Sequence, residues 1–479
     1  MNDPHPFDDA PAGVEPAPKH RNPSLALDPP PPAPDREPEI LPERLDGDAV
    51  KIVSRLRHVG HTAYFVGGCV RDLLLGRTPK DFDLATDAHP GEVRAAFRNC
   101  RLIGRRFRLA HVYFRGGKII EVATFRKNPT DVAEDLGEEG DLLITRDNVF
   151  GTAEEDAVRR DFTVNGLFYD VFAGQVIDYV DGRADLEAHR IATIGDPEIR
   201  MREDPVRALR AVRFAARLGF AIEPETFAAM RRHAGEIARC APPRVLEEIF
   251  KILRCGGAAR AFELLRASGA LAVTLPSLAS AFDAAGDEVR RVFQAYLSAL
   301  DALVRSGEEV SDAVLLGAVL MHLEAPAPGA PGGAEALLRE LVQRARLPRR
   351  IAERIRLALM AQRHLRGPPR RRRRGRGLAG QLYFADALQL LALTVKATGE
   401  GAEDLARWHA GRAHSHDEGE PRGDGAGGSG SEAAALPGRT EAVPTGEPGR
   451  KRRRRRGGRR RRRRGDVAAA APPAGAAPA

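Results

Sequence analysis

The sequence contains little cysteine and no long apolar run. Its four cysteines form no C-x-x-C pair and have no histidine at zinc-ligand spacing: Cys69, Cys100, Cys240 and Cys255. We therefore expect reduced thiols in or near the core of a cytoplasmic protein, and neither disulfides nor a zinc site. No apolar stretch approaches membrane-spanning length, and the polar, acidic N-terminus lacks a signal-peptide pattern, so we expect no membrane contact.

Acidic residues are absent from one strongly basic run near the C-terminus. Residues 450–464 contain 13 lysines and arginines. Because the whole chain has a net charge of +9, the rest of the chain has a net charge of −4. Such a run, which includes Arg452 and Arg459, binds phosphate backbones with little sequence preference, so we predict RNA contact. A localisation or solubility tail is the alternative. A second basic cluster lies between helical patterns and is expected in a folded RNA path: Arg370, Arg371 and Arg372.

Both ends of the chain have compositions that are typical of disordered segments. Residues 1–44 are rich in proline and aspartate, and the proline run at 29–34 favours an extended, solvated chain. From residue 412 to 479, glycine, glutamate, proline, alanine and arginine dominate without an apolar face. We predict that both segments are disordered.

Between these ends the chain is long enough for two or more domains. Residues 45–150 alternate short helical and strand patterns, which predict a small sheet flanked by helices. The predicted helices cover 48–59, 69–75 and 89–98, and the predicted strands cover 62–66, 81–85, 109–114 and 118–125. The polar, acidic segment 128–150 predicts a mobile loop, and a helical pattern then continues almost without interruption from Glu154 to about residue 410.

The most informative segment runs from Phe65 to Asp83 and reads FVGGCVRDLLLGRTPKDFD. Gly67 and Gly68 follow a strand pattern and precede a helix pattern, so backbone amides can approach a phosphate there. On a strand, the carboxylates of Asp81 and Asp83 would point to the same face. Carboxylates that repel each other are accommodated by cations, and Mg²⁺ prefers an oxygen site shared with substrate phosphates. A plain turn and a solvated acidic strand are the alternatives, but the order of elements favours a nucleoside triphosphate site.

Two more segments carry candidate polar groups. Glu121 is an isolated acid in the apolar strand pattern KIIEVATF, which favours a third carboxylate beside the aspartate pair over a solvated sheet edge. In RRDFTVNGL, Arg160 can grip a phosphate, while Asp161 or Asn165 can bond a ribose hydroxyl. If this segment is helical, the latter two share a face. The alternative is that Asp161 or Thr163 caps a helix.

A basic stripe follows in REDPVRALRAVRFAARLGF, residues 202–220. Four arginines advance by three or four positions along one helix: Arg207, Arg210, Arg213 and Arg217. A solvated stripe is the usual explanation for such a pattern. The alternative is that Glu203 and Asp204, next to Arg207, present a donor and acceptor pair to a base edge. The residues alone leave both explanations open.

Taken together, these three motifs resemble those of class II nucleotidyltransferases of the DNA polymerase β superfamily. That family comprises the bacterial poly(A) polymerases and the CCA-adding tRNA nucleotidyltransferases. The segment GRRFRLAHV, residues 104–112, is similar to one typical of the poly(A) polymerase branch. The resemblance covers roughly residues 45–410 and leaves the acidic segment 128–150 and both ends unmatched.

The resemblance implies the roles of particular residues. Mg²⁺, as two ions, would lie on Asp81 and Asp83, and Gly67, Gly68 and Arg71 would surround the triphosphate of ATP. Asp161 matches an acid that is either catalytic or in contact with the sugar. Asp204 and Arg207 fall in the motif that reads the incoming base, here in a pocket selecting ATP. The remaining candidate nucleotide contacts are Asp72, Arg160, Asn165 and Arg210.

The resemblance also implies an α+β fold with a small mixed sheet in an N-terminal head and an all-helical neck and body. We place the head at 45–180, the neck at 181–255 and the RNA-binding body at 256–411. The expected reaction is template-independent polyadenylation of RNA 3′ ends with ATP. CCA addition to tRNA and a non-catalytic RNA-binding protein are the alternatives. The tails are candidate docking segments for RNA-degradation or RNA-chaperone proteins.

Overall fold

An N-terminal mixed sheet and a long helical region make up the chain, which confirms the predicted α+β fold class. The computed structural model describes residues 37–104, 109–127, 149–323, 333–366 and 378–417. Within these ranges, no helix is both long enough and apolar enough to cross a bilayer. Some predictions concern residues outside these ranges and stay predictions. They are the predictions for residues 1–36, the segment 128–148, Arg370, Arg371, Arg372, Arg452 and Arg459.

The sheet has seven strands in the order β3-β4-β5-β2-β1-β6-β7. Strand β2 pairs with β5 in parallel, and every other neighbouring pair is antiparallel. The strands are β1 (Ala63–Val66), β2 (Asp83–Thr86), β3 (Cys100–Ile103), β4 (Leu109–Tyr113), β5 (Ile119–Thr124), β6 (Phe168–Asp170) and β7 (Gln175–Ile177).

Alternation along the central strands buries both faces of the sheet. Phe65 of β1 and Leu84 of β2 point into the large core, while Val66 and Ala85 point into a smaller core on the opposite face. The large core continues without a break from the sheet into the helical region. The end of β1 and the start of β2 are therefore packed against core residues on both faces of the sheet.

Among the described residues, five short helices accompany the sheet: α1 (Gly47–His58), α2 (Gly68–Leu74), α3 (Pro90–Ala96), α4 (Ala153–Val158) and α5 (Gly182–Glu187). The helical region that follows is built from α6 (Pro197–Glu203), α7 (Val206–Leu218), α8 (Pro224–Arg232), α9 (Pro242–Leu253), α10 (Ala258–Ala267), α11 (Ala270–Thr274), α12 (Pro276–Arg305), α13 (Asp312–Leu320), α14 (Gly333–Gln343), α15 (Arg349–Leu365), α16 (Phe384–Thr398) and α17 (Ala402–Asp417).

Most sequence-predicted elements before residue 125 are confirmed, including helices α1 to α3 and the β4–β5 hairpin. Two details differ. Strand β3 was not predicted, because its four residues show no clear alternation. Asp81 lies in a bend before β2, so only Asp83 belongs to the strand. The four cysteines are free thiols, three of them buried, as expected.

The prediction of nearly continuous helix beyond Glu154 is wrong at four short strands between residues 168 and 222, although α5, α6 and α7 lie among them. Strands β6 and β7 extend the sheet from β1, and a separate parallel pair joins β8 (Arg190–Ile191) to β9 (Ala221–Ile222). Each of these strands has only two or three residues, too few for a period of two to be visible. Strand β6 pairs with the remote strand β1, and β8 pairs with β9 across α6 and α7, which a local pattern cannot reveal.

Candidate active site

The Gly-Gly turn joins β1 to α2 in a conformation that only glycine adopts easily. Gly67 has φ +72°, and a Cβ atom there would lie 2.9 Å from Nη1 of Arg160. The Gly67 amide donates to the carbonyl of Leu167 at 2.9 Å, so the turn is fixed to the segment that precedes β6. The absence of side chains leaves the floor of an adjacent pocket open.

The predicted carboxylates gather where β2 and β5 begin. Asp83 and Glu121 are directly opposite each other in the parallel register. Desolvation by the surrounding protein raises the pKa of Asp83 to about 6. The negative charges of Glu121 and Asp81 also raise this pKa, while the positive charge of Arg160 lowers it. Glu121 is half-exposed and lies 3.5 Å from Nε2 of His111.

These carboxylates suit a cation shared with substrate. Among the described residues no cluster of three or more His, Cys, Asp or Glu side chains is arranged to hold a metal ion. Mg²⁺, however, is commonly held by one or two carboxylates together with water and substrate phosphates. Burial is the largest cause of the raised pKa of Asp83, and the positive charge of Arg160 offsets the rise only in part. Asp81 and Asp83 therefore fit such an ion, and Glu121 stays a candidate third ligand.

Asp161 is held in the opposite electrostatic state. It lies in a bend, not in a helix, and Asn165 ends a 3-10 turn four residues later. The two side chains still meet, because Nδ2 of Asn165 donates to Asp161 at 3.2 Å. Burial alone would raise the pKa of Asp161, but the charge and hydrogen bonds of Arg210 and Asn165 lower it to about 2. Asp161 caps no helix, since its carboxylate accepts from the Phe162 amide and from Arg210 at 2.7 Å.

Arg71 and Asp72 form a buried pair behind the Gly-Gly turn. Nε of Arg71 donates to Asp72 at 2.9 Å, and Nη1 donates to the side-chain oxygen of Asn165. Asp72 also accepts from Arg217 at 3.0 Å. Arg71 lines the pocket, whereas Asp72 lies behind it and joins α2 to α7.

The arginine stripe on α7 is only partly solvated, so the usual explanation of that pattern does not account for it. Each arginine bonds an acid that is nearly buried. The pairs are Arg207 with Glu203 (2.8 Å), Arg210 with Asp161 (2.6 Å), Arg213 with Glu248 (3.0 Å) and Arg217 with Asp72 (3.0 Å). The ring of Phe214 lies between guanidinium groups, with that of Arg213 4.3 Å from the ring centroid. The stripe is therefore preorganised.

Asp204 is paired with a residue that the sequence motifs did not indicate. Nη2 of Arg244, near the start of α9, lies 2.8 Å from the Asp204 carboxylate. Arg207 is only 7% exposed, and its Nη1 also donates to the carbonyl of Arg200. Arg244 could have been suspected only from its basic charge, since 40 residues separate it from Asp204.

These groups enclose a cavity of about 470 Å³, a size typical of a small-ligand site. Seven arginines and three aspartates contribute to its wall, so it favours a polyanion. Its lining consists of Gly67, Gly68, Arg71, Asp83, Arg159, Arg160, Asp161, Asn165, Asp204, Arg207, Arg210, Phe214, Arg217 and Arg244. The structure thus brings most of the predicted nucleotide contacts together, whereas Asp72, Asp81 and Glu121 are not part of the lining.

Three family models match consecutive parts of the chain. Residues 63–192 match the Poly A polymerase head domain, and residues 219–282 match a probable RNA and SrmB-binding site of polymerase A. Residues 324–464 match the polymerase A arginine-rich C-terminus. The cavity-lining residues from Gly67 to Asn165 fall within the first of these matches.

Individual relatives include two kinds of enzyme. Over 281 residues the chain is 46% identical to poly(A) polymerase I of Salmonella typhi, an alignment that covers 57% of this chain and 60% of the relative. Over 232 residues it is 40% identical to the CCA-adding enzyme of Geobacillus stearothermophilus, covering 48% and 55%. The chain therefore spans about 60% of the length of the first relative and less of the second.

Among solved structures, the chain is similar to the Bacillus stearothermophilus CCA-adding enzyme in complex with CTP. The TM-score is 0.54 at 28% sequence identity, and the match covers 77% of this chain and 82% of that one. The likeness extends well beyond the sheet into the helical region, because the sheet and its five helices occupy less than half of the chain.

Proposed function

This chain belongs to the family of bacterial poly(A) polymerases and CCA-adding enzymes, and from that premise we propose that it adds adenylate residues from ATP to RNA 3′ ends without a template. The observation that carries the proposal is the match of three polymerase A models in order along the chain. The longer and higher similarity to a poly(A) polymerase I than to a CCA-adding enzyme supports the same choice.

In the proposed reaction the RNA 3′ hydroxyl gives up its proton to solvent water, and its oxygen forms a bond to the α-phosphorus of ATP. The bond from that phosphorus to the bridging oxygen breaks, and pyrophosphate leaves. Asp81 and Asp83 would hold Mg²⁺, which supplies charge stabilisation and a more reactive 3′ oxygen. The arginines around the cavity would hold the triphosphate, and the Gly-Gly turn would let it approach the backbone.

Asp161 would orient the nucleotide and not accept a proton. A carboxylate with a pKa near 2 is a poor base at neutral pH, and its bond to Arg210 fixes the direction of both groups. Asp204 and Arg207 would meet the edge of the adenine base, with Arg244 fixing the Asp204 carboxylate. Most of the rate enhancement would then come from positioning and charge stabilisation.

The experiment that tests this proposal supplies nucleotides to the purified chain with two RNA substrates, an unstructured oligonucleotide and a tRNA lacking its CCA end. With ATP alone, a poly(A) polymerase extends the oligonucleotide into long adenylate tracts. A CCA-adding enzyme, the second candidate, instead requires CTP and stops after three additions to the tRNA. The high identity to the Geobacillus enzyme is what keeps that candidate open.

A non-catalytic RNA-binding protein would incorporate no labelled nucleotide with either RNA. Binding of the oligonucleotide in the absence of incorporation would select this third reading. The intact Asp81, Asp83 and Asp161 positions argue against it. Since ATP and RNA are the proposed substrates, we place the protein in the cytoplasm.

The basic tail is the proposed RNA-binding element outside the site. Deleting residues 419–479 leaves α17 whole and removes the run at 450–464. The affinity for the oligonucleotide should fall most at low salt, with a shallower dependence of log K on log salt concentration. Addition to a short primer at saturating RNA should be unchanged. An unchanged salt slope would refute the electrostatic role.

A further inference from the structure

Arg200 is a buried cation that does not touch the cavity. It lies in α6, is only 5% exposed, and its side chain is not among those that line the pocket. Neither the motifs nor the proposed chemistry assign it a task. Its contacts nevertheless lead directly to residues that do line the cavity.

One end of Arg200 binds two consecutive backbone carbonyls. Nη2 donates to the carbonyl of Arg159 at 2.8 Å and also to that of Arg160. Helix α4 ends at Val158, so these carbonyls follow the last helical residue and have no partner further along a helix. The side chains of Arg159 and Arg160 both line the cavity. The direction of two cavity arginines thus depends on one guanidinium group behind them.

The other terminal nitrogen of Arg200 binds an acid that it shares with a third cavity arginine, Arg207. Nη1 donates to Glu203 at 2.7 Å, and the same carboxylate oxygen accepts from Arg207 at 2.8 Å. Arg200, Arg207 and Glu203 are therefore buried together, close enough to Asp161 for its negative charge to act on Arg200 as well. Burial and the charge of Arg207 lower the pKa of Arg200 to about 10.

This arrangement costs free energy of folding. Burial of a guanidinium group is unfavourable, and Nε of Arg200 has no hydrogen-bond partner within the described part of the chain. An apolar or neutral polar side chain would fill the same space at lower cost. The guanidinium group of Arg200 does, however, lie directly behind arginines of a site proposed to receive a polyphosphate.

We propose that Arg200 is a positioning residue of the nucleotide site, which holds the Arg159–Arg160 backbone and, through Glu203, Arg207 in the geometry that receives the triphosphate and the base. The inference rests on the proposed function. Arg200 acts only through these residues and makes no contact with the nucleotide.

The test compares Arg200→Gln and Arg200→Lys with wild type in the full chain. For Arg200→Gln we expect the KM for ATP to rise and kcat/KM to fall roughly 10- to 100-fold, because small displacements of binding groups have effects of this size. Arg200→Lys keeps the charge and several donors and should recover most of the loss. The affinity for RNA should stay within about twofold of wild type, since the tail and not this pocket is the proposed main RNA contact.

A destabilised control separates positioning from stability. Arg354 in α15 pairs with Asp386, which is 2% exposed, far along the chain from the cavity residues. Arg354→Gln should lower the melting temperature while the folded fraction keeps the wild-type KM for ATP. If Arg200→Gln behaves in the same way, with an unchanged KM, Arg200 is only structural and the proposal is overturned.

A double-mutant cycle tests the route through the backbone. Arg160→Ala removes one of the side chains that Arg200 is proposed to position. In that background Arg200→Gln should cost clearly less in kcat/KM than it does alone, because groups that act together are not additive. Additive losses would contradict the proposal. If wild type itself incorporates no nucleotide, the proposed function fails, and ATP affinity measured by equilibrium binding then tests Arg200 alone.

Discussion

The carboxylates at the start of β2 and the arginines of α7, on two sides of the cavity, differ in how far the protein compensates their charges. At the start of β2, Asp83 lies near two other carboxylates, and no arginine or lysine of the described residues forms an ion pair with Asp81 or Asp83. On α7, four arginines each bond an acid from another part of the chain. The carboxylate side is left incomplete, whereas the arginine side is complete before any ligand arrives.

This difference indicates which kind of ligand each side is suited to bind. Neighbouring carboxylates without a compensating cation are stabilised by a metal ion that comes with the substrate. Arginines already fixed by acids need no reorganisation when a phosphate binds, which is the arrangement that favours catalysis by positioning. A protein that only bound RNA would have no use for the incomplete side.

The largest expected loss of activity is that of Asp81→Ala and Asp83→Ala, which test the carboxylate side of this comparison. Each should lower adenylate incorporation by roughly 1,000-fold or more, because metal-based charge stabilisation contributes several kcal/mol. The measurement is incorporation of labelled AMP into an oligonucleotide. Glu187→Ala, which removes an exposed acid of α5, should retain full activity. Retained activity in the double variant would remove the metal assignment.

On the arginine side, Asp161→Ala should cost about 3 kcal/mol of unfolding free energy, since it leaves Arg210 without its main partner. Denaturant unfolding measures this loss. With a folded pKa of about 2, below its ordinary value of 3.8, the Asp161 carboxylate stabilises the fold above pH 4. The difference from wild type should therefore shrink as pH falls from 4 towards 2. A difference independent of pH would contradict the ion pair.

Asp72→Asn sharpens the distinction between cavity wall and support. The amide can still accept from Arg71, and Arg217 can turn towards solvent because it is 37% exposed, so we expect about 2 kcal/mol of destabilisation. Since Asp72 does not line the cavity, equilibrium binding of ATP should weaken by less than about tenfold, which is about 1.4 kcal/mol. A loss as large as that for Asp83→Ala would instead make Asp72 a direct nucleotide contact.

The smallest expected effect is a gain in the free energy of unfolding, for the variant Asp83→Asn. The pKa of Asp83 in the folded protein is about 6, above the ordinary 3.8, so the wild type loses stability as pH rises from about 4 to 6. Without divalent ions at pH 7.5, Asp83→Asn should raise the unfolding free energy by less than about 1 kcal/mol, because solvent screens this exposed group. The gain should vanish near pH 4.

Adding Mg²⁺ gives the matching control for that variant. The ion should raise the melting temperature of wild type, because ligands that bind only the folded state stabilise it. It should raise the melting temperature of Asp83→Asn much less. Equal shifts in both proteins would place the ion elsewhere.

Much of the site could be predicted from sequence because its parts are local. The Gly-Gly turn, α2, the start of β2 and the β4–β5 hairpin follow from short patterns whose causes lie within a few residues. Asp161 and Asn165 meet as predicted, although the segment between them is a 3-10 turn and not an α-helix. The contact between these two side chains was therefore predicted correctly, but the backbone between them was not.

The partners of the α7 arginines could not be predicted in the same way. Arg210 and Asp161 are 49 residues apart, and Arg217 and Asp72 are 145 apart. A helix-period stripe of arginines looks the same in the sequence whether its surroundings are water or buried acids. Arg244 and Arg200 were missed for the same reason, since both act on residues about 40 positions away.

By itself, then, the order of residues determined the turn that bares the backbone, the strand that begins with an acid and the helices with their apolar faces, because each depends on neighbours in the chain. Only the tertiary structure decided which charges are compensated and which are not. Compensation depends on distance in space and on the exclusion of water, and both arise when remote segments pack together.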